Sequence, residues 1–226
     1  MVPGLTDVKR GPKKDGVEGG CVTQRRRRLL DVEAILDAAL ACIDERGRLT
    51  MADLAARLGT SASSIYHHVS GRLEIVELLR ERLVLHLEIP PLDRSDWGDQ
   101  VASWMRSYRR ALAEHPNLIP LLTEQTMTAG SVLVGYDRVA GLLGTAGFPE
   151  EQVMLWVSVL DSYALGAALD LAAPDEVWRA SGGNTPALDA ALRAAPQGRA
   201  RADAAFELGL EALLAGMRSR LSVGGA

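Results

Sequence analysis

The stretch LTMADLAARLGTSASSIYHHVSGR, residues 49–72, decides the fold of this 226-residue chain. Thr50 precedes an apolar periodic run and has Asp53 three positions later, which is the pattern of a helix N-cap. Gly59 predicts the end of that short helix, and a second short helix is predicted over about residues 62–68. Two short helices around a glycine-bearing turn have the proportions of a helix-turn-helix.

The adjacent histidines His67 and His68 raise the alternative of a metal site. Ligands on one helix share a face at spacings of three or four, whereas neighbours point about 100° apart. The sequence around them holds no cysteine or carboxylate cluster. The spacing therefore favours DNA contact and predicts neither a metal nor a cofactor. A structural or solvated role stays open, above all for His68, which could pack inward beside Val69.

The second helix has the chemistry of a DNA-reading helix. Small side chains at Ser61, Ala62, Ser63 and Ser64 would let its N-terminal end enter a major groove about 12 Å wide. Hydroxyl, phenol and imidazole groups can then contact base edges, thymine methyls or phosphates. A basic residue opening the next helix can bind a phosphate together with the helix N-terminus.

This pattern resembles the tetracycline-repressor (TetR) family of transcription regulators, most specifically over residues 31–79. The shared features are a Thr-capped helix, a Leu-Gly turn, a short helix with an aromatic before a His or Phe, and a basic residue opening the next helix. Here they are Thr50, Leu58–Gly59, Tyr66, His68 and Arg72. The resemblance implies that the operator contacts are Thr50, Ser63, Ser64, Tyr66, His67, His68 and Arg72.

The charge distribution sets the front of the chain apart. Residues 1–82 hold 14 basic and 12 acidic side chains, a net charge of +2, whereas residues 83–226 hold 11 and 17, a net charge of −6. Residues 1–24 are predicted to form a disordered basic arm. The four arginines that follow it are expected to reach phosphates or a minor groove, with a solvated charge run as the alternative. They are Arg25, Arg26, Arg27 and Arg28.

The rest of the chain shows helical periodicity and no alternating strand pattern. Further helices are predicted at 97–114, 118–123, 131–145, 149–172 and 200–221, with a short one near 187–194. The fold class is therefore all-α, with about nine or ten helices. The sequence divides into the arm 1–24, a DNA-binding domain 25–80 and an effector-binding and dimerisation domain 84–222, the last two joined by a continuous helix.

The resemblance extends more loosely to Trp97, 108–116 and 164–170, and implies an effector pocket between the fifth and eighth helices. Pairs of aromatic side chains four or seven positions apart share a helical face there, for which core packing is the alternative. Leu122 stands where tetracycline repressors carry a magnesium-ligating histidine, which argues against a metal–tetracycline effector. The candidate lining residues are Trp104, Tyr108, Leu122, Met127, Met154, Trp156, Asp161, Tyr163 and Asp170.

Small residues at 164–173 and the apolar last helix predict a four-helix interface with a second copy of the chain. Internal packing is the alternative. The apolar residues of that last helix are Ala204, Phe206, Leu208, Leu210, Leu213, Leu214 and Met217.

Several function classes are disfavoured. The sequence has no run of 18 apolar residues, no apolar stretch typical of a signal peptide, and no nucleophile motif with a base. Its two cysteines are expected to be reduced thiols of a cytoplasmic protein. We therefore expect a non-enzymatic, homodimeric, ligand-responsive repressor that binds an inverted-repeat operator in double-stranded DNA. The alternative is a small all-α ligand-binding or interaction protein with no role in gene regulation.

Overall fold

The computed structural model describes residues 30–85, 87, 96–179 and 184–224. Within them the chain forms ten α-helices, one short 3-10 helix and no strand, so the predicted all-α class is confirmed. The predicted arm 1–24 and Arg25–Arg28 lie outside the described residues. The helices are α1 (Val32–Arg46), α2 (Met51–Leu58), α3 (Ala62–Tyr66), α4 (Arg72–Val84), α5 (Trp97–Glu114), a 3-10 helix (Pro116–Leu118), α6 (Ile119–Thr123), α7 (Gly130–Thr145), α8 (Glu150–Leu171), α9 (Pro186–Ala194) and α10 (Gly198–Gly224).

Local capping signals set the ends of the first helices. Thr50 Oγ1 accepts a hydrogen bond from the Asp53 amide at 3.1 Å and donates to Asp53 Oδ2 at 2.7 Å, as the N-cap pattern predicts. Gly47 and Gly59 end α1 and α2 with φ of +65° and +63°, the left-handed conformation that favours glycine.

The serine that precedes α4, Ser70, does not cap the helix with its side chain. Gly71 occupies the N-cap position, and the Glu74 carboxylate reaches back to accept from the Ser70 amide. The glutamate thus satisfies a backbone donor one position before the N-cap, much as the glutamate of a capping box does for the N-cap itself.

Thr50→Ala tests the first of these caps. The substitution removes the acceptor for the Asp53 amide and the donor to the Asp53 carboxylate, and losing an N-cap of this type costs about 1 kcal/mol. For a chain of this length we expect the midpoint of thermal unfolding to fall by about 2–4 °C. Thr50→Ser keeps the hydroxyl and should melt close to the native chain. Equal melting of Thr50→Ala and the native chain would show that the cap adds nothing to stability.

Two adjoining apolar cores hold the helices together. The first centres on α1–α4, with Ile35, Leu54 and Ile65 fully buried, and continues through Leu118 and Leu122 of the α6 region. The second lies among α5, α7, α8 and α10. Because α4 packs against α1, α6 and α7, it belongs to the N-terminal helices and also forms a wall of the C-terminal part.

Helix α8 is, in the described part of the chain, the one helix long and apolar enough to cross a membrane by length and composition alone. Its buried residues recur every three or four positions and pack into the protein core. They are Val153, Val157, Leu160, Ala164 and Ala168. This packing is that of a core helix, and its remaining apolar side chains lie on another face, described below.

Candidate DNA-binding face and ligand cleft

Helix α3 presents a polar face fixed from beneath by two apolar anchors. Ile65 and Val69 are buried in the first core, which sets the orientation of the helix. Tyr66 is 52% exposed, and His67 and His68 are exposed beside it. His68 therefore does not pack inward beside Val69. The exposed side chains beside these anchors are free of the core and open to contact DNA.

The serine hydroxyls of this surface are unequal. Ser61 is the N-cap of α3, and its Oγ accepts from the Ser64 amide at 3.1 Å. The Ser61 and Ser64 hydroxyl oxygens also lie 2.9 Å apart, in hydrogen-bond contact with each other. Ser63 is exposed on the adjacent position, and Ala62 is half-buried. Ser61 and Ser64 thus have a structural role at the start of α3 besides any contact with DNA.

Ion pairs brace the helices behind this surface. Arg57 of α2 makes two hydrogen bonds to the Glu45 carboxylate of α1, at 2.7 and 2.8 Å. Arg46 pairs with Asp53, and the hydrogen bond from Thr50, together with Arg46 and Arg48, holds the pKa of Asp53 below its ordinary value. These pairs are exposed, so each adds little stability in water. Their effect is to fix the orientation of α2 against α1.

Arg72 has a contact that the sequence did not predict. Its Nη2 donates to Glu124 Oε2 at 2.9 Å, across 52 positions of sequence. Glu124 follows α6, so the residue expected to bind a phosphate also connects the first turn of α4 to the C-terminal part of the chain.

A cleft of about 490 Å³, its open mouth included, lies between α4, α5 and α7. The enclosed space within it is about 30 Å³, room for about one water molecule, so an organic ligand would enter only if the walls moved apart. Its lining is mainly apolar and aromatic. The lining residues are Arg80, Leu83, Val84, Leu87, Trp104, Tyr108, Leu112, Leu122, Met127, Val132, Gly135 and Tyr136.

A short chain of polar groups lies along one wall of this cleft. The Tyr136 hydroxyl donates to Asp161 Oδ1 at 3.0 Å, and the Tyr108 hydroxyl is hydrogen-bonded to the same pair. Burial, followed by the negative charge of Asp161, raises the pKa of Tyr136, and burial raises that of Tyr108 well above its ordinary value. Both phenols therefore stay protonated and able to donate. Trp104 stacks on Tyr108 with ring centroids 5.6 Å apart.

Arg80 supplies the positive charge of the cleft. It is 8% exposed, its Nε donates to Glu77 Oε2 at 3.2 Å, and its Nη2 donates to the Leu122 carbonyl at 2.6 Å. The sequence alone contains little sign of this, because Arg80 is one of several charged residues along α4. The one signal is its position one turn from Val76 and Leu83 on the apolar side of α4.

Two models of known protein families match the chain. "Bacterial regulatory proteins, tetR family" covers residues 35–79, and "Tetracyclin repressor-like, C-terminal domain" covers residues 89–221, more than half of the chain. The chain belongs to the TetR family. It is a ligand-responsive, DNA-binding regulator of transcription, which sets aside the alternative of a binding protein without a role in gene regulation. Regulators of the TetR family are cytoplasmic proteins that bind DNA as dimers.

Individual relatives agree with this assignment. An HTH-type transcriptional regulator of Saccharopolyspora erythraea is 29% identical over 208 residues, covering 85% of this chain and 86% of that protein. The class E tetracycline repressor protein of Escherichia coli is 26% identical, over 85% of this chain and 92% of the repressor. Among solved structures, ActR of Streptomyces coelicolor in complex with (S)-DNPA has a TM-score of 0.68 and 26% identity, covering 87% of this chain and 98% of ActR.

Within this TetR-family fold, only some of the predicted effector residues line the cleft. Trp104, Tyr108, Leu122 and Met127 do so, and Asp161 lies behind Tyr136. The other four do not reach it, because each has a different environment. Met154 is exposed, Trp156 packs edge-on against Phe148, Tyr163 stacks on Phe206 and donates to its carbonyl at 2.8 Å, and Asp170 binds Arg201 through both carboxylate oxygens.

Helices α8 and α10 of this TetR-family chain also carry exposed apolar side chains. Apart from Met154, four of them are large, and exposed small residues lie in the same stripes. They are Leu155, Val159, Gly166 and Leu169 of α8, and Leu208, Ala212 and Ala215 of α10, with Leu208 71% exposed. We name these seven residues the α8–α10 face. The apolar residues of α10 that were expected at an intermolecular interface lie on two different faces of the helix, one turned to the core and one exposed. Phe206, Leu210, Leu214 and Met217 are buried within the chain itself.

Proposed function

We propose that the chain is a homodimeric repressor that leaves an inverted-repeat operator when a flat, aromatic effector enters the cleft. The observation that carries this proposal is the position of Arg80. It lies in the middle of α4, lines the cleft, and belongs to the same helix that begins with Arg72 beside the DNA-binding face. An effector in contact with Arg80 would therefore touch the helix that directly follows α3 in the chain.

The dimer follows from the α8–α10 face. Stripes of exposed leucine and valine beside small residues allow close helix approach, and a second copy would cover them by symmetry. Two copies would place two α3 helices on half-sites one helical turn apart, about 34–36 Å centre to centre. The proposed operator contacts are Ser63, Tyr66, His67 and His68, with Thr50, Arg72 and the arginines 25–28 on phosphates.

The proposed effector is a planar aromatic molecule that bears an acidic or carbonyl oxygen. Trp104 and Tyr108 supply aromatic faces, Arg80 supplies a cation for an oxygen anion, and the Tyr136 hydroxyl supplies a polar group bonded to Asp161. Solved structures of ActR hold (S)-DNPA and actinorhodin, which supports an effector of related kind here. Leu122, an apolar residue at the cleft, supports a ligand bound without a metal ion.

The mechanism is a coupling free energy between two sites. An effector shifts the equilibrium only by as much as it prefers one conformation to the other. Moving a dimer from almost fully DNA-competent to almost fully incompetent needs a preference of about 5.5 kcal/mol. We propose that the effector obtains this preference for the DNA-incompetent conformation by displacing the α4 wall of the cleft. That displacement changes the separation of the two α3 helices.

Selection from genomic DNA tests this proposal. Purified protein is mixed with sheared DNA of its host, and the retained fragments are sequenced. We expect an inverted repeat to be recovered, and actinorhodin is then the first probe added to release it. If low salt yields no enriched sequence, the DNA-binding proposal fails. If a repeat is recovered but no aromatic acid or quinone releases it, the effector class fails alone.

Tyr136→Phe tests the polar wall of the cleft. The substitution removes the hydroxyl that donates to Asp161, so that carboxylate loses one of its two phenol partners, and we expect effector affinity to fall about tenfold. Operator affinity without effector should stay within about twofold. Quenching of tryptophan fluorescence measures effector binding, with Trp104 as the tryptophan that lines the cleft. Tyr163→Phe is the matched control, because its hydroxyl donates to a backbone carbonyl outside the cleft. Equal losses in the two variants would remove Tyr136 from the binding site.

A further inference from the structure

Glu77 lies in the middle of α4. Among the described residues, no other carboxylate between α4 and the C-terminal helices accepts as many hydrogen bonds. The Glu77 side chain is 13% exposed. Oε1 accepts from the backbone amides of Thr128 and Ala129, both at 2.9 Å. Oε2 accepts from Gln125 Nε2 at 3.1 Å and from Arg80 Nε at 3.2 Å. Both oxygens thus bind groups on the opposite segment or on the cleft wall.

These bonds complete the N-terminus of α7. Ala129 occupies the N-cap position, and its methyl side chain cannot accept a hydrogen bond. Helix N-termini leave backbone N–H groups without partners and carry a partial positive charge, so a carboxylate there is stabilising. Glu77 supplies that carboxylate from a different helix. The start of α7 therefore depends on the position of α4.

The same segment is bonded to α4 along its length. Arg72 pairs with Glu124, and Gln125 Nε2 also donates to the Leu73 carbonyl at 3.2 Å. Further along, the Ser131 hydroxyl donates to Glu81 at 2.9 Å. We name residues 122–131 the connecting segment. Its members Leu122 and Met127 line the cleft, so a ligand there would contact the segment directly.

We infer that Glu77 is the positioning residue that couples the cleft to the DNA-binding face, by holding the connecting segment and the first turn of α7 to α4. This inference rests on the proposed function, because it specifies how that function is regulated. Displacement of Leu122 or Met127 by a ligand would pull on Glu77 and move α4. By reciprocity, DNA binding at α3 would change the stability of the connecting segment.

The protonation state of Glu77 agrees with this role. Burial raises its pKa, but the amides of Thr128 and Ala129, the Gln125 side chain and Arg80 together lower it further, so the net pKa lies below the ordinary value. Glu77 is therefore ionised at neutral pH. Replacing it with glutamine keeps the shape of the side chain and removes the charge.

Hydrogen–deuterium exchange of the full-length dimer tests the inference. In Glu77→Gln without DNA, we expect the amides of 128–132 and the facing turn of α4 to exchange about tenfold faster. In the native chain, operator DNA should change exchange at α2–α3 and also at 125–133. In Glu77→Gln the change at 125–133 should fall at least about fivefold, while that at α2–α3 persists. Glu33→Gln, an exposed site on α1, controls for the lost charge.

The outcomes separate two failures. If no recovered DNA protects α2–α3 of the native dimer, the proposed function fails, and the DNA-free comparison still decides the inference. Faster exchange confined to Thr128 and Ala129 would overturn it, as would an operator response at 125–133 that is the same in Glu77→Gln and the native chain. If Glu77→Gln does not fold, Glu77→Asp, which keeps the charge but shortens the side chain, should show the same effects at smaller size.

Discussion

Leu208→Asp is expected to convert the dimer into a monomer and to lower operator affinity at least about a hundredfold. Leu208 is 71% exposed in the single chain and belongs to the α8–α10 face. In a symmetric dimer each substitution occurs twice, so the interface would have to bury two carboxylates among apolar side chains. Removing a charge from water without a partner is costly enough to dissociate an interface of ordinary size.

The loss of operator affinity follows from the loss of bivalency. A helix of five residues such as α3 makes few base contacts, so one copy alone binds an operator weakly. In a dimer the second α3 binds its half-site as an intramolecular event, which can raise affinity by about 10²–10⁴ without any new contact. A monomer loses that gain while its own DNA-binding face remains intact.

Analytical ultracentrifugation gives the oligomeric state, and a fluorescence anisotropy titration gives the operator affinity. Leu133→Asp is the matched control, since Leu133 is an exposed leucine of α7 outside the α8–α10 face. It should leave both the dimer and the operator affinity close to the native values. A Leu208→Asp protein that stays dimeric at micromolar concentration would show that another surface holds the two copies together.

The helix boundaries were predictable wherever a short-range signal sets them. Thr50 caps α2 through a bond to a residue three positions away, and Gly59 ends it through its own backbone conformation. The predicted limits of the fifth helix, 97–114, agree with α5, which has Asp96 at its N-cap and Pro116 beyond its end. Each of these features depends on neighbours in sequence, so the sequence alone contains the needed information.

The cleft was predictable only in part, because periodicity shows which residues share a face but not what that face meets. Trp104 and Tyr108 share a face of α5 that meets α4 and α7 at the cleft. Tyr163 shares a face with Trp156, yet that part of α8 packs on α10. Arg80 and Tyr136 join the cleft through contacts between distant segments, which no local pattern records.

Tyr66→Ala should weaken operator binding by about 10- to 100-fold while the dimer stays intact and melts at nearly the same temperature. The ring is half-exposed on the DNA-binding face, so its removal takes little from the core. It lies beside Gly71, where a Cβ, which glycine lacks, would stand 3.7 Å from Tyr66 Cε1. A good bidentate contact to a base contributes about 1–3 kcal/mol of discrimination, and we expect the Tyr66 contact to lie within that range.

Two further measurements locate the origin of the effect. Tyr66→Phe keeps the ring and removes the hydroxyl, so a loss equal to that of Tyr66→Ala would assign the contact to a hydrogen bond, and native affinity would assign it to the ring. The slope of affinity against salt should be the same in all three proteins, because Tyr66 carries no charge and releases no counterion. Operator affinity unchanged in Tyr66→Ala would remove Tyr66 from the contact surface. The exposed neighbours Ser63 and His67 would then have to read the half-site.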